Sequence, residues 1–141
     1  MRVVSIDGSD KSGKSSIIGE LFQRTNGLVF IIDRSPSGWH FFNELLGRDK
    51  TDPKYKKEYN AKLKDFRKFV DLSVLLEVNE EDWKNRCEEH NEQQLVGDLS
   101  FKDHQKEIAR QFSKAQYNNI LKLNTTDLSI DECVEAILRR L

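Results

Sequence analysis

An α/β fold with a parallel sheet of about four strands is what this sequence of 141 residues predicts. Three observations predict it. Short apolar runs alternate along the chain with segments of helical periodicity, as in strand-helix-strand units. The run Leu28–Ile32 is continuous rather than alternating, which is the pattern of parallel strands covered on both faces. A glycine-containing turn joins the first run to the first helical segment. The chain has the size of one domain, 1–141. Its 37% hydrophobic residues include thirteen aromatics, eight Phe, three Tyr and two Trp, which argues for a packed core rather than disorder.

The elements follow in order. Arg2–Ile6 is β-branched and apolar and ends at Asp7-Gly8, so it reads as a strand; Ile17, Ile18, Leu21 and Phe22 then mark one helix face. Thr25-Asn26-Gly27 stops that helix, and Leu28–Ile32 is the second strand, with Asp33 and Arg34 at its carboxyl end. After a loop bearing Pro36 and Gly38, Trp39, Phe42, Leu45 and Leu46 suggest a short helix. Pro53 opens another, with Tyr55, Tyr59, Leu63, Phe66 and Val70 on one stripe. Residues 71–78 form a third strand, Asn79 caps a helix to about Glu89, and Ser100 caps one to about Gln116. Ile120–Leu123 is a fourth strand before a last helix over 129–141. The polar stretch 91–97 is the best place for a mobile lid, taken more broadly as 87–99.

Composition excludes several classes. The apolar runs fall far short of the ~18 residues of a membrane helix, and no signal-like segment opens the sequence, so a cytoplasmic protein with no membrane partner is expected. Cys87 and Cys133 have neither disulfide-framework nor zinc spacing, and His40, His90 and His104 form no metal pattern and read as surface residues. The formal charge of −1 conceals segregation: Lys54–Lys68 carries seven bases against two acids, whereas Glu77–Glu107 carries ten acids against four bases. A basic helix over 54–68 leaves nucleic-acid contact open, although such runs are usually solvated faces.

Gly8-Ser9-Asp10-Lys11-Ser12-Gly13-Lys14-Ser15 fits G-x-x-x-x-G-K-[ST] between a strand and a helix, the context in which this P-loop motif has a mechanism. The glycines let backbone N–H groups turn inward around a phosphate chain, and the helix N-terminus adds its positive dipole end. Lys14 reaches the β- and γ-phosphates and Ser15 can ligate Mg²⁺. The fold class sharpens accordingly to a three-layer α/β/α P-loop NTPase fold with a reduced sheet, in spatial order second, first, third, fourth strand. Asp33-Arg34 lies beyond a strand's carboxyl end, where ligands gather in open α/β sheets.

The segment Ile6–Ser16 resembles the phosphate-binding loop of thymidylate kinases, whose pattern is roughly EGxDxxGKST. A base directly after the loop Asp resembles the eukaryotic and poxvirus type. There the loop base clamps the donor γ-phosphate, a role the resemblance implies for Lys11. It also implies that Asp10 contacts the acceptor's sugar or its associated metal and water. Asp33-Arg34 resembles the Asp-Arg pair of the same family, and Asp33-Arg34-Ser35 resembles the acid-Arg-Ser motif of deoxynucleoside kinases, where the acid is a general base. Ser37-Gly38 resembles the Ser-Gly that follows the pair, one residue early. Residues 70–86, Phe101 to Phe112 and 130–134 continue the likeness, with Arg86 as a lid-base cation.

The reading that follows is ATP- and Mg²⁺-dependent phosphoryl transfer to a deoxynucleoside monophosphate, dTMP first. Lys14, Lys11, Asp33 and Arg34 would be catalytic; residues 8–16, Gly8 through Ser16, would hold the donor; Asp10, Arg34, Ser37, Trp39 and Phe41 would hold the acceptor; and Ser15 and Asp33 would hold Mg²⁺, in part through water. Trp39 and Phe41 enter as stacking platforms, whereas Phe42 looks most like core. A homodimer is plausible from the family. Two alternatives remain open: a deoxynucleoside or polynucleotide 5′-hydroxyl kinase with Asp33 as base, and a nucleotide-binding module without turnover. Only Thr25-Asn26-Gly27 stands where thymidylate kinases carry a further strand, helices and a Thr-Arg-Glu-Pro-Gly segment, so much of that family's acceptor pocket has no counterpart here.

Overall fold

The computed structural model describes residues 1–9, 11–89 and 101–141. Its strands are β1 (Arg2–Gly8), β2 (Val29–Asp33), β3 (Leu72–Glu77) and β4 (Ile120–Asn124). They form one sheet in the order β2-β1-β3-β4, with all three pairings parallel, as the sequence predicts. Its helices are α1 (Lys14–Thr25), α2 (Pro36–Leu45), α3 (Tyr55–Phe69), α4 (Glu80–Glu89), α5 (Phe101–Lys114) and α6 (Ile130–Arg140). A 3-10 turn at Arg48–Lys50 links α2 to α3.

Strand periodicity sorts the side chains into two cores. Val4 and Ile6 of β1 and Leu72, Val74 and Leu76 of β3 face α1 and α6, where Ile17, Leu21, Val134 and Ile137 meet them. Leu75 points the other way, into a cluster with Phe41 of α2, Leu63 and Phe66 of α3, and Ile108 and Phe112 of α5. Helices therefore cover both faces, and the architecture is a three-layer α/β/α sandwich. Val78, Trp83, Cys87 and Phe101 make a smaller cluster beneath α4, with the Trp83 and Phe101 rings stacked at 4.4 Å.

Helix ends are set locally. Asn26 and Gly27 both take the left-handed conformation, and the Gly27 amide donates to Phe22 O, so α1 stops there. A capping box between Ser129 and Glu132 starts α6, and Arg24 of α1 pairs with Asp131 and Glu135 across the layer.

Several expectations need correction. β1 runs on to Gly8 because Gly8 is paired with Leu76 of β3. β2 is covered only in part: Val29 and Ile31 pack on one core and Ile32 on the other, but as the edge strand it leaves Phe30 56% exposed and, just before it, Leu28 70% exposed. α2 starts three residues earlier than the apolar periodicity suggests, because Ser35 stands at the N-cap and Pro36 opens the helix. His104 is buried, edge-on to Phe41, and His40 is bonded to Tyr55 Oη and Glu44, so neither is a plain surface residue. His90 and the Ser100 cap fall outside the described residues. So does most of the expected lid, although Cys87 to Glu89 belong to α4. Among the described residues no helix is long and apolar enough to cross a membrane.

Candidate active site

β1 ends in the turn that carries the motif, and α1 begins at Lys14 directly after it. Gly13 adopts φ 92°, which only glycine takes without strain, and as the N-cap it offers no side-chain cap to α1. That helix start opens onto a cleft of about 710 Å³. The motif lines it with Ser9, Lys11, Gly13, Lys14, Ser15 and Ser16, the end of β2 with Asp33 and Arg34, and α4 and α6 with Arg86 and Ile130. The topology explains the meeting. β2 lies beside β1 with Ile6 opposite Asp33, so the ends of two adjacent parallel strands deliver the motif and the Asp33-Arg34 pair to one place.

Lys14 Nζ is 2.5 Å from Asp33 Oδ1, an ion pair that joins the start of α1 to the end of β2. Lys11 takes φ 61°, and its carbonyl accepts from Arg86 Nη1 at 2.6 Å. Arg86 also bonds Thr125 Oγ1 and Thr125 O, at 3.1 and 2.9 Å, and pairs with Asp82. Sequence reasoning treats Arg86 as a cation at the base of a lid. The structure shows its guanidinium tying the turn before α1 to the turn after β4. Ser9 Oγ and Ser12 Oγ are buried and have no hydrogen-bond partner among the described residues. Gly8 is the last residue of β1, and Asp10 lies outside the described residues.

The expected acceptor residues separate. Arg34 is exposed at φ 73° with its guanidinium 4.1 Å above the Phe42 ring. Besides the main cleft it lines a neighbouring cavity of about 340 Å³, together with Trp39, Lys62, Phe66 and Phe69. Trp39 stacks on Tyr55 at 5.3 Å and carries Lys62 Nζ 4.2 Å from its ring centre. Phe41, in contrast, is 3% exposed in the core between α3 and α5 and offers no face to a ligand. The helical period puts Phe41 inward, against the expectation, whereas Phe42 packs against the same core as expected and also carries Arg34 on its ring. Ser37 is also internal: its amide donates to Tyr117 Oη at 3.0 Å and its hydroxyl pairs with Ser35 Oγ. Of the seven bases over 54–68, Lys62 sits on Trp39 and Arg67 bonds Ala115 O; Lys54, Lys56, Lys57, Lys64 and Lys68 are exposed.

Asp7 is the residue the sequence reading leaves without a role. It is 1% exposed, and its two carboxylate oxygens accept the Ser35 amide at 3.1 and 3.3 Å. Burial pushes its carboxyl up to about 6, against the opposing pull of the Ser35 hydrogen bonds and of Lys14 and Arg34. The available signal was an acid at the end of an otherwise apolar strand, directly before the first motif glycine. Tyr117, 82 residues from Ser35, carries no such signal; its hydroxyl donates to Ser35 Oγ at 2.7 Å.

The chain matches no protein-family model and no curated protein sequence. Among solved structures it is similar to YorR of Bacillus subtilis, crystallised in complex with phosphorylated GDP, at 14% identity and a TM-score of 0.67 over 97% of this chain and 94% of that one. The likeness is one of fold: a nearly full-length match to a nucleotide-bound protein agrees with the three-layer α/β/α architecture found here.

Proposed function

We propose that this protein binds a nucleoside triphosphate in the cleft at the start of α1 and transfers its terminal phosphoryl group to a nucleotide acceptor. ATP as donor and a deoxynucleoside monophosphate such as dTMP as acceptor are the first choice, on the resemblance of the loop and the Asp33-Arg34 pair to thymidylate kinases. The observation that carries the reading is the N-terminus of α1, whose N-cap Gly13 has no side chain to cap it and whose motif residues Ser9, Lys14 and Ser15 all line one cleft. The nucleotide-bound YorR supports it through the shared fold.

Within that cleft Lys14 and Lys11 supply positive charge to the transferring group, and Arg34 holds the acceptor phosphate in line. Positioning and electrostatics carry most of the rate in such a reaction. The Ser15 hydroxyl and the Asp33 carboxylate border the same cleft and are hard oxygen donors of the kind Mg²⁺ takes, so these two residues fit a Mg²⁺ ion and would hold it, partly through water. The ion supplies charge neutralisation between donor phosphates. Asp33 is exposed and paired to Lys14 rather than held in an apolar pocket, an environment that suits an orienting anion better than a general base. That favours a phosphate acceptor, already anionic, over a hydroxyl.

The test is ADP release with Mg²⁺-ATP against a panel of deoxynucleoside monophosphates, deoxynucleosides and 5′-hydroxyl oligonucleotides. Lys14→Ala serves as the blank and should abolish transfer while leaving the circular dichroism spectrum unchanged. Turnover only with hydroxyl acceptors would make Asp33 a base. Turnover persisting in Lys14→Ala would remove the loop from the chemistry.

A further inference from the structure

The end of β1 touches the second half of the site through one buried group. Asp7 does not border the cleft, yet it contacts the turn that presents Arg34. Pro36 opens α2 and has no N–H, so the Ser35 amide is the donor immediately before the helix, and both Asp7 oxygens take it. One residue earlier, the Arg34 amide donates to Ile6 O at 3.0 Å. The peptide groups on either side of Arg34 are thus held by adjacent residues of β1. Between them Arg34 adopts φ 73°, a conformation that residues other than glycine rarely take and keep only when their surroundings enforce it.

Gly38 completes the arrangement from α2. A Cβ on Gly38 would collide with Asp7 Oδ1 and come within 3.4 Å of Arg34 Cβ, so the missing side chain is what lets the carboxylate nest against the first turn of the helix. The same turn is braced from behind by Tyr117, which bonds both Ser35 and Ser37. A buried carboxylate is costly to a fold unless its hydrogen bonds are worth more than its hydration. Here they are spent on the one turn that aims a cation at the phosphate loop.

We propose that Asp7 is a positioning residue: from the end of β1, one residue before the phosphate loop, it locks the Arg34 turn in its left-handed conformation and so sets the acceptor side of the cleft in register with the donor side. The geometric half stands on the contacts above; the acceptor half deepens the proposed kinase activity and rests on it.

The experiment pairs amide hydrogen exchange at Ser35, read by NMR on the full chain, with steady-state kinetics and Mg²⁺-ATP titration. Asp7→Ala removes the acceptor oxygens, whereas Gly38→Ala leaves them in place and displaces them with a methyl group. Both should lower Ser35 protection at least tenfold and raise KM for the monophosphate at least tenfold, with ATP affinity within twofold of wild type. Asp7→Asn, which retains one accepting oxygen, should recover part of the protection. Unchanged Ser35 protection in Asp7→Ala overturns the proposal, and so does equal weakening of donor and acceptor, the mark of a merely structural role. Absence of nucleotide binding by the wild type would defeat the kinase reading, while the Ser35 exchange would still decide whether Asp7 locks the turn.

Discussion

Arg34 and Asp7 show how differently two charged residues a few ångströms apart in the fold are used. Arg34 is exposed, rests on the Phe42 ring and has its planar donors available to a ligand in the cleft. Arg34→Ala should lose about 2 kcal/mol or more of transition-state stabilisation toward a monophosphate, read from kcat/KM, and an unchanged value would remove it from the site. Asp7 is buried, and its effect on stability has a definite sign. With a folded value of about 6 against an ordinary 3.8, the native state binds its proton more tightly than the unfolded chain does. The resulting stabilisation is complete below pH 3.8 and lost as pH rises through 6, so the ionised group costs about 3 kcal/mol at neutral pH. Asp7→Asn should therefore raise stability by up to about 3 kcal/mol at pH 7.5 and by nothing near pH 3.5, in denaturant unfolding followed across pH. Stabilisation at neutral pH joined to weaker acceptor use would be the signature of a group kept for function.

At the scale of elements, the loop before α1 is held from outside its own segment. Arg86 of α4 reaches Lys11 O and the hydroxyl and carbonyl of Thr125, so α4, the turn before α1 and the turn after β4 share one guanidinium. Truncation leaves the two part-buried carbonyls short of donors, at roughly 2 kcal/mol of stability. Arg86→Ala should lower the unfolding free energy by about that amount and weaken Mg²⁺-ATP binding by roughly tenfold as the loop loosens. Binding at wild-type strength in a destabilised Arg86→Ala protein would confine the residue to folding. α2 is positioned in the same manner, its N-terminus bonded to β1 through Asp7 and to Tyr117, beyond α5.

Over the whole molecule, one sheet edge differs from the other surfaces. Among the described residues β2 has no partner on its outer side, and Phe22, Leu28 and Phe30 are all more than half exposed around it. An unpaired apolar edge invites pairing between molecules. Phe30→Lys should reduce concentration-dependent association, measured by light scattering, while leaving Mg²⁺-ATP affinity within twofold, since Phe30 lies away from the strand end that carries the site. Increased association in that variant would show that the edge is not the sticky surface.

The order and type of the elements, the parallel sheet and the meeting of the motif with Asp33-Arg34 were legible in the sequence. They rest on local signals: the period of apolar residues, a glycine turn between strand and helix, and the helical segments between strands that serve as parallel crossovers. What each side chain faces was not legible, because facing is set by partners remote along the chain. Asp7 meets Ser35 28 residues later, Tyr117 reaches Ser35 across 82, and Arg86 reaches Lys11 across 75. Periodicity could mark α2 as amphipathic, but only the packing of α3 and α5 against it decided that Phe41 would be core and Phe42 a seat for Arg34. The sequence by itself determined the chemistry that can be assembled at the ends of β1 and β2. The tertiary structure alone decided which groups touch the cleft and which hold the others in place, since burial and hydrogen-bond partnership arise only when distant segments pack.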